Sequence, residues 1–236
     1  MDGTAEQVND QREPDEQQVF IDAFQELLST EGGPQLTLTN IFKEMPISHP
    51  ASLCEVKGRH VELQTCELQL AAMLQCNDVY IESHRLGRPV LGQLEEVDIR
   101  RLTARVSGFC YRDLYVNRRS AVRVRFKRPI SITARTGANR ISGVIHDISL
   151  EGCCLNTLVR QGFQESDLQL ELKLMAPTTS EELAMQIPAT LVRISEDGPP
   201  FKCILCFNHT QQSEHLLSVY VNQRQHEILR ELRDSL

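Results

Sequence analysis

The sequence predicts a mainly β protein: two small β-barrel domains in tandem, with short terminal α-helices. Three observations predict it. Short alternations of apolar and polar residues recur along most of the chain, as half-buried strands require. Glycine-containing turns separate many of them. Extended helical spacing of apolar residues is confined to the two ends. The expected division is an acidic, partly disordered segment with a short helix (1–34), one barrel (35–112) and a second barrel with a C-terminal helix (113–236).

Residues 1–16 are polar and acidic and are expected to be disordered. Phe20, Ala23, Phe24, Leu27 and Leu28 then follow helical spacing and stop before Glu31-Gly32-Gly33-Pro34. In the first barrel, Leu36 and Leu38 alternate with Thr37 and Thr39, and Val61, Leu63 and Thr65 alternate with Glu62 and Gln64. Val79-Tyr80-Ile81 and residues 102–106 supply further strands, with turns at Lys57-Gly58 and Gly87-Arg88-Pro89. Residues 68–76 read as a short helix. A linker is expected at 110–119.

The second barrel is more sharply patterned. Val122, Val124 and Phe126 are expected to face inward, with Arg123, Arg125 and Lys127 facing outward. Ile130, Ile132 and Ala134 form another inward set before the turn at Gly137-Ala138-Asn139. Strict alternation puts Val144, His146, Ile148 and Leu150 on one face and Ile145, Asp147 and Ser149 on the other. Leu168, Leu170, Leu172 and Leu174 make the clearest amphipathic strand. Residues 187–194 and 201–207 add two more. Ser213 reads as the N-cap of a final helix with an apolar stripe of Leu216, Leu217, Tyr220, Val221, Ile228, Leu229 and Leu232. The second half of that helix allows pairing with another subunit, so both monomer and homodimer fit.

Composition excludes several classes. The chain has 236 residues, 41% of them hydrophobic, enough to bury a real core without a membrane span. No apolar run approaches the ~20 residues that cross a bilayer. The acidic N-terminus is unlike a secretory signal, and eight irregularly spaced cysteines read as mostly buried thiols in a reducing compartment. A cytoplasmic location is expected. Eight acids against Arg12 alone in residues 1–30 account for the net charge of −7. Residues 112–128 instead hold seven bases against Asp113. This local positive focus points to a small anionic ligand, and no DNA partner is expected.

Chemistry concentrates at residues 118–152. Arginine pairs bidentately with phosphate and with guanine O6 and N7, and stacks on purine faces. A carboxylate accepts from guanine N1–H and N2–H, serine adapts as donor or acceptor, and glycine permits close backbone approach. Other sites are not supported. Cys203 and Cys206 have metal-like spacing, but residues three apart on a strand face opposite sides; Cys153-Cys154 fails for the same reason. His146, Asp147 and Ser149 cannot form a hydrolytic relay on one strand. No P-loop, dinucleotide fingerprint or HExxH occurs. Catalysis, metal and cofactor are not expected.

Arg119-Ser120-Ala121-Val122-Arg123 resembles the Arg-x-x-x-Arg motif of PilZ domains, and Asp147-Ile148-Ser149-Leu150-Glu151-Gly152 resembles their [Asp/Asn]-x-Ser-x-x-Gly motif. The resemblance covers roughly 117–210. The preceding module resembles the split barrel of flagellar-brake-type proteins. Family members usually carry glycine in the strand near Phe207, where this chain has Ile204.

This resemblance implies a receptor for cyclic di-GMP. Arg119 and Arg123 would grip guanine edges and phosphates, Asp147 and Ser149 would hold a guanine, and Gly152 would shape the turn. Arg118 resembles the residue of members that bind two intercalated ligand molecules. It further implies a change of inter-domain arrangement and an unidentified protein partner, with flagellar motor components, motility and biofilm behaviour as the expected field. The alternatives are an oligonucleotide-binding β-barrel, disfavoured by only 5% aromatic residues, and a protein-interaction module that binds no nucleotide.

Overall fold

The structure, a computed structural model, describes residues 14–30, 35–115, 119–137, 139–159, 167–176, 181–195 and 198–236. It is mainly β and contains two closed six-stranded barrels. The chain divides into two compact units. The first comprises Met1–Asn40 and Pro46–Leu114, and the second comprises Ile41–Met45 and Tyr115–Leu236.

The first unit opens with α1 (Pro14–Leu28), so residues 14–16 are helical, inside the stretch expected to be disordered. Its barrel is built from β1 (Gln35–Phe42), β2 (Met45–Lys57), β3 (His60–Gln64), β4 (Asp78–Glu82), β5 (Val90–Asp98) and β6 (Thr103–Tyr111), in the order β1-β2-β3-β6-β5-β4. Residues 110 and 111, expected in a linker, thus complete β6. The alternating residues Leu36, Leu38, Val61 and Leu63 are buried, as period two requires. Phe20, Ile21, Phe24 and Leu27 pack the apolar face of α1 into this core, where the Phe24 and Phe109 rings lie 5.0 Å apart. Burying each such ring contributes roughly 1.5–3 kcal/mol. The Gln17 amide adds polar docking: Nε2 donates to Phe109 O at 2.6 Å, and Oε1 accepts from Phe109 N at 2.9 Å. Between β3 and β4 runs the expected short helix, α2 (Glu67–Cys76). It buries Leu70 and Met73, while the buried Gln69 donates to Asn40 Oδ1.

The second unit contains β7 (Val124–Thr136), β8 (Asn139–Ile148), β9 (Gly152–Thr157), β10 (Asp167–Met175), β11 (Glu182–Ile194), β12 (Phe201–Phe207) and α3 (Gln211–Arg233). The barrel order is β10-β11-β12-β9-β8-β7. Val124 and Phe126 are buried, but Val122 is exposed because β7 begins only at Val124. Strict alternation also fails in β8. Ile145 and Ile148 both face the core, separated by an irregularity in the pairing with β9. A bulge of this kind accommodates the odd spacing, and it leaves His146 exposed. Leu168, Leu170, Leu172 and Leu174 all point inward.

Helix α3 starts one turn differently from the sequence reading. Thr210 is the N-cap, and Ser213 completes a capping box three residues later. Its stripe buries Leu217, Tyr220, Val221, Ile228 and Leu232, but Leu216 and Leu229 are only partly covered. Arg224 occupies the middle of the stripe and is also buried. Its Nε donates to Arg125 O at 2.9 Å, and its Nη1 donates to Glu227 and Glu231. A buried guanidinium is tolerable only when paired in this way.

All eight cysteines are free, and their burial differs from expectation: only Cys153 and Cys203 are buried, while Cys54, Cys66 and Cys206 are exposed. The exposed Cys206 lies opposite the buried Cys203 on β12, as strand geometry demands. Burial pushes the Cys203 thiol up to about 11 and raises Cys153 further. Since the thiolate is the reactive form, Cys66 and Cys206 are expected to alkylate first in the native protein. Cys153 and Cys203 should label only after unfolding, which mass spectrometry of a timed alkylation series checks.

Candidate functional site

The second unit places four of the six sequence-predicted residues in one region on the outer side of β7 and β8, with Gly152 at its base. Arg118 lies outside the described residues. Asp147 is directly opposite Arg125 in the β7–β8 pairing, because Val124 and Ile148 beside them turn inward. Arg123, just before β7, brings Nη1 to 3.9 Å from Asp147 Oδ1. That is an ion-pair separation, too long for a hydrogen bond.

Asp147 Oδ1 is buried and has no hydrogen-bond partner. Burial raises the carboxyl above its ordinary range, and the negative charge of Glu44 raises it further. Arg123, Arg119 and Arg125 act in the opposite direction. An orphaned acceptor in such a place costs stability unless something supplies a donor.

Arg119 leans on two residues that spacing gave no reason to connect. Its guanidinium lies 5.0 Å from the centre of the Tyr115 ring, and its Nη1 donates to Glu44 Oε2 at 3.1 Å. The other Glu44 oxygen is 3.5 Å from Arg125 Nη2. Glu44 thus bridges two of the three arginines around Asp147. Its sequence distance from them, more than seventy residues, explains why no motif revealed it. The backbone of the same segment is attached as well, with Arg125 N donating to Lys43 O at 3.1 Å.

Ser149 and Gly152 play structural parts. Ser149 is 5% exposed, and its Oγ accepts from Glu151 N and Gly152 N, each at 3.3 Å, and lies 3.2 Å from Gly152 O, to which it donates. The hydroxyl is therefore engaged in closing the turn between β8 and β9. Of the two reasons the sequence offers for Gly152, a turn and close backbone approach, the second is visible here: a Cβ would meet Leu205 O at 2.1 Å. Only glycine lets β9 approach β12 at this point, where Gly152 pairs with Cys206.

Further braces hold the turn. Glu151 O accepts from Phe207 N at 2.8 Å, and His209 Nε2 donates to Leu150 O. Ser120 Oγ donates to Glu151 Oε2, linking the arginine segment to the second motif. His209 and Glu151 carried no distinguishing signal in the sequence, since neither belongs to an alternation or a recurrent spacing. Among the described residues, no cluster of His, Cys, Asp and Glu is arranged to hold a metal ion.

A family model for the PilZ domain matches residues 117–223, most of the second unit. Residues 117–223, in the second barrel, thus carry the match to a PilZ domain. No curated protein matches the chain.

Among solved structures it is similar to YcgR from Escherichia coli in complex with c-di-GMP, at 16% identity and a TM-score of 0.39, covering 92% of this chain and 94% of that one. It is similar to the inhibitor of motility MotI/DgrA from Bacillus subtilis at 14% identity and a TM-score of 0.38, covering 84% and 98%. The MrkH–c-di-GMP complex of K. pneumonia matches at 14% identity and a TM-score of 0.36, covering 91% and 94%.

Two substitutions test the structural parts. Gly152→Ala forces the β9–β12 seam apart and is expected to destabilise the protein by about 1–3 kcal/mol. Ser149→Ala leaves two amides without their acceptor and is expected to cost about 1–3 kcal/mol. Denaturant midpoints of both variants against wild type provide the check.

Proposed function

We propose that this chain is a receptor for cyclic di-GMP that acts by binding and not by catalysis. The observation that carries the reading is the buried, partnerless Asp147 Oδ1 set beside Arg119, Arg123 and Arg125 on the outside of a PilZ barrel. Guanine presents N1–H and N2–H, the donors such an oxygen lacks. The guanidinium groups suit the ligand's phosphates and the guanine O6 and N7 edge.

In this reading Arg119 and Arg123 bind the ligand, Arg118 extends the same arginine segment, and Asp147 takes a guanine. Ser149 and Gly152 contribute by holding the turn that presents Asp147, because the Ser149 hydroxyl is already committed to it. No metal or cofactor enters.

Signal transfer follows from charge. Closely spaced guanidinium groups repel, and ligand phosphates neutralise them. A ligand that stabilises one conformation of the segment joining the two domains (35–112 and 113–236) shifts their arrangement by its differential affinity. The changed arrangement is read by a protein partner, with motility or biofilm control as the proposed field and flagellar motor components as the first candidates. Eight free thiols accord with a reducing cytoplasm. Among the described residues, no helix is long and apolar enough to cross a membrane.

Calorimetric titration of wild type and Arg123→Ala with cyclic di-GMP tests the proposal. Loss of a good contact to guanine should cost about 1–3 kcal/mol, roughly tenfold or more in affinity. Absence of binding by wild type, or equal affinity of the two proteins, would refute the assignment of the site. Saturable binding of short single-stranded RNA without preference for the dinucleotide would favour an oligonucleotide-binding barrel instead.

A further inference from the structure

We propose that Glu44 is an internal competitor for the ligand: its carboxylate occupies Arg119 and Arg125 and must be displaced when an anionic ligand binds. The inference rests on the cyclic di-GMP reading of the same site and adds the residue that sets its affinity.

The geometry comes first. The two oxygens of Glu44 are directed to two different arginines, Oε2 to Arg119 at 3.1 Å and Oε1 to Arg125 at 3.5 Å. A phosphodiester offers two non-bridging oxygens to the same kind of partner. Glu44 is therefore a chemical stand-in for the ligand's anionic group. Its side chain is 20% exposed and that of Arg119 is 22% exposed, so the pair is only partly screened by water.

Charge balance sharpens the case. Arg119, Arg123 and Arg125 face two carboxylates, Glu44 and Asp147. A cyclic dinucleotide brings two phosphate charges of its own. Among the described residues, Glu44 lowers the excess positive charge of this cluster from two to one, against the ligand's two negative charges. The same carboxylate also acts on Asp147, disfavouring its ionised form. Glu44 thus opposes both the phosphate and the guanine ends of the proposed contact.

The local backbone supports a dedicated placement. Lys43 and Glu44 form the two-residue turn between β1 and β2, with φ of 51° and 71°. Side chains are disfavoured in this left-handed region, where glycine or asparagine is usual. Here both side chains are engaged, Lys43 with Glu231 of α3 and Glu44 with the arginines. Strain of this kind persists where the surroundings over-determine it.

Titration of the full chain with cyclic di-GMP decides the matter, comparing wild type, Glu44→Gln and Glu44→Asp. Glu44→Gln keeps size and backbone but removes the charge, and should bind about tenfold more tightly or better. Its affinity should also fall more steeply with salt, because the freed arginines hold counterions that the ligand releases. Glu44→Asp keeps the charge and should stay near wild type, which separates a charge effect from disturbance of the turn. Wild-type binding with equal or weaker affinity in Glu44→Gln overturns the inference while leaving the site reading intact. Equal gains in Gln and Asp variants also overturn it, by assigning the effect to the turn. No binding by any of the three removes the site reading, and the inference with it.

Discussion

The approach of β9 to β12 at Gly152 is the constraint on which the placement of Asp147 and its arginines depends. No side chain fits there, since the first carbon of one would sit 2.1 Å from Leu205 O. Meeting that constraint closes the barrel seam and fixes where the chain must turn after β8. The turn is then secured by Ser149 Oγ from within and by Phe207 N and His209 from β12 and beyond. Because the turn is held at both sides, Asp147 is placed firmly enough to keep a buried oxygen without a partner. A looser support would let that carboxylate rotate toward water, as desolvation cost favours.

A second constraint is electrostatic. Arg224 is buried in the middle of the apolar stripe of α3, where it donates to the backbone of Arg125 and to Glu227 and Glu231. Lys127 and Lys43 pair with those same carboxylates. The start of β7 is thereby tied to α3 through its main chain, while the Arg125 side chain reaches Glu44 on the side where Asp147 stands opposite. Cations near the site therefore divide into two sets. Those paired with Glu227 and Glu231 hold β7 against α3, and those around Asp147 and Glu44 line the region proposed to take an anionic ligand.

Ion pairs of this partly exposed kind contribute little to stability individually. The Arg119–Glu44 pair, with the Tyr115 ring against the guanidinium, holds an otherwise repelling arginine segment in one place at modest energetic cost. Under the proposed function, the ligand would meet an arginine segment already held in place by these contacts.

Period-two patterning by itself determined the barrel strands, because a half-buried strand must alternate: Leu168 to Leu174 and Val61 to Leu63 needed no tertiary information. Arg119, Arg123 and Asp147 stood out through a motif instead, and the structure places Arg123 3.9 Å from Asp147 with Arg119 acting on the same carboxylate. Alternation failed at Val122, which precedes the strand, and at Ile145 and Ile148, where a bulge replaces strict pairing. Glycine at 152 was visible as a place for close backbone approach, but what approaches was not, because the obstructing atom belongs to Leu205, more than fifty residues later. Glu44 and His209 likewise meet partners distant in the chain, and Arg224 adds the distant Arg125 O to Glu227 and Glu231 on its own helix. Local sequence decides which face a residue can show; tertiary structure decides what stands opposite it, and at this site the opposing groups set the charge.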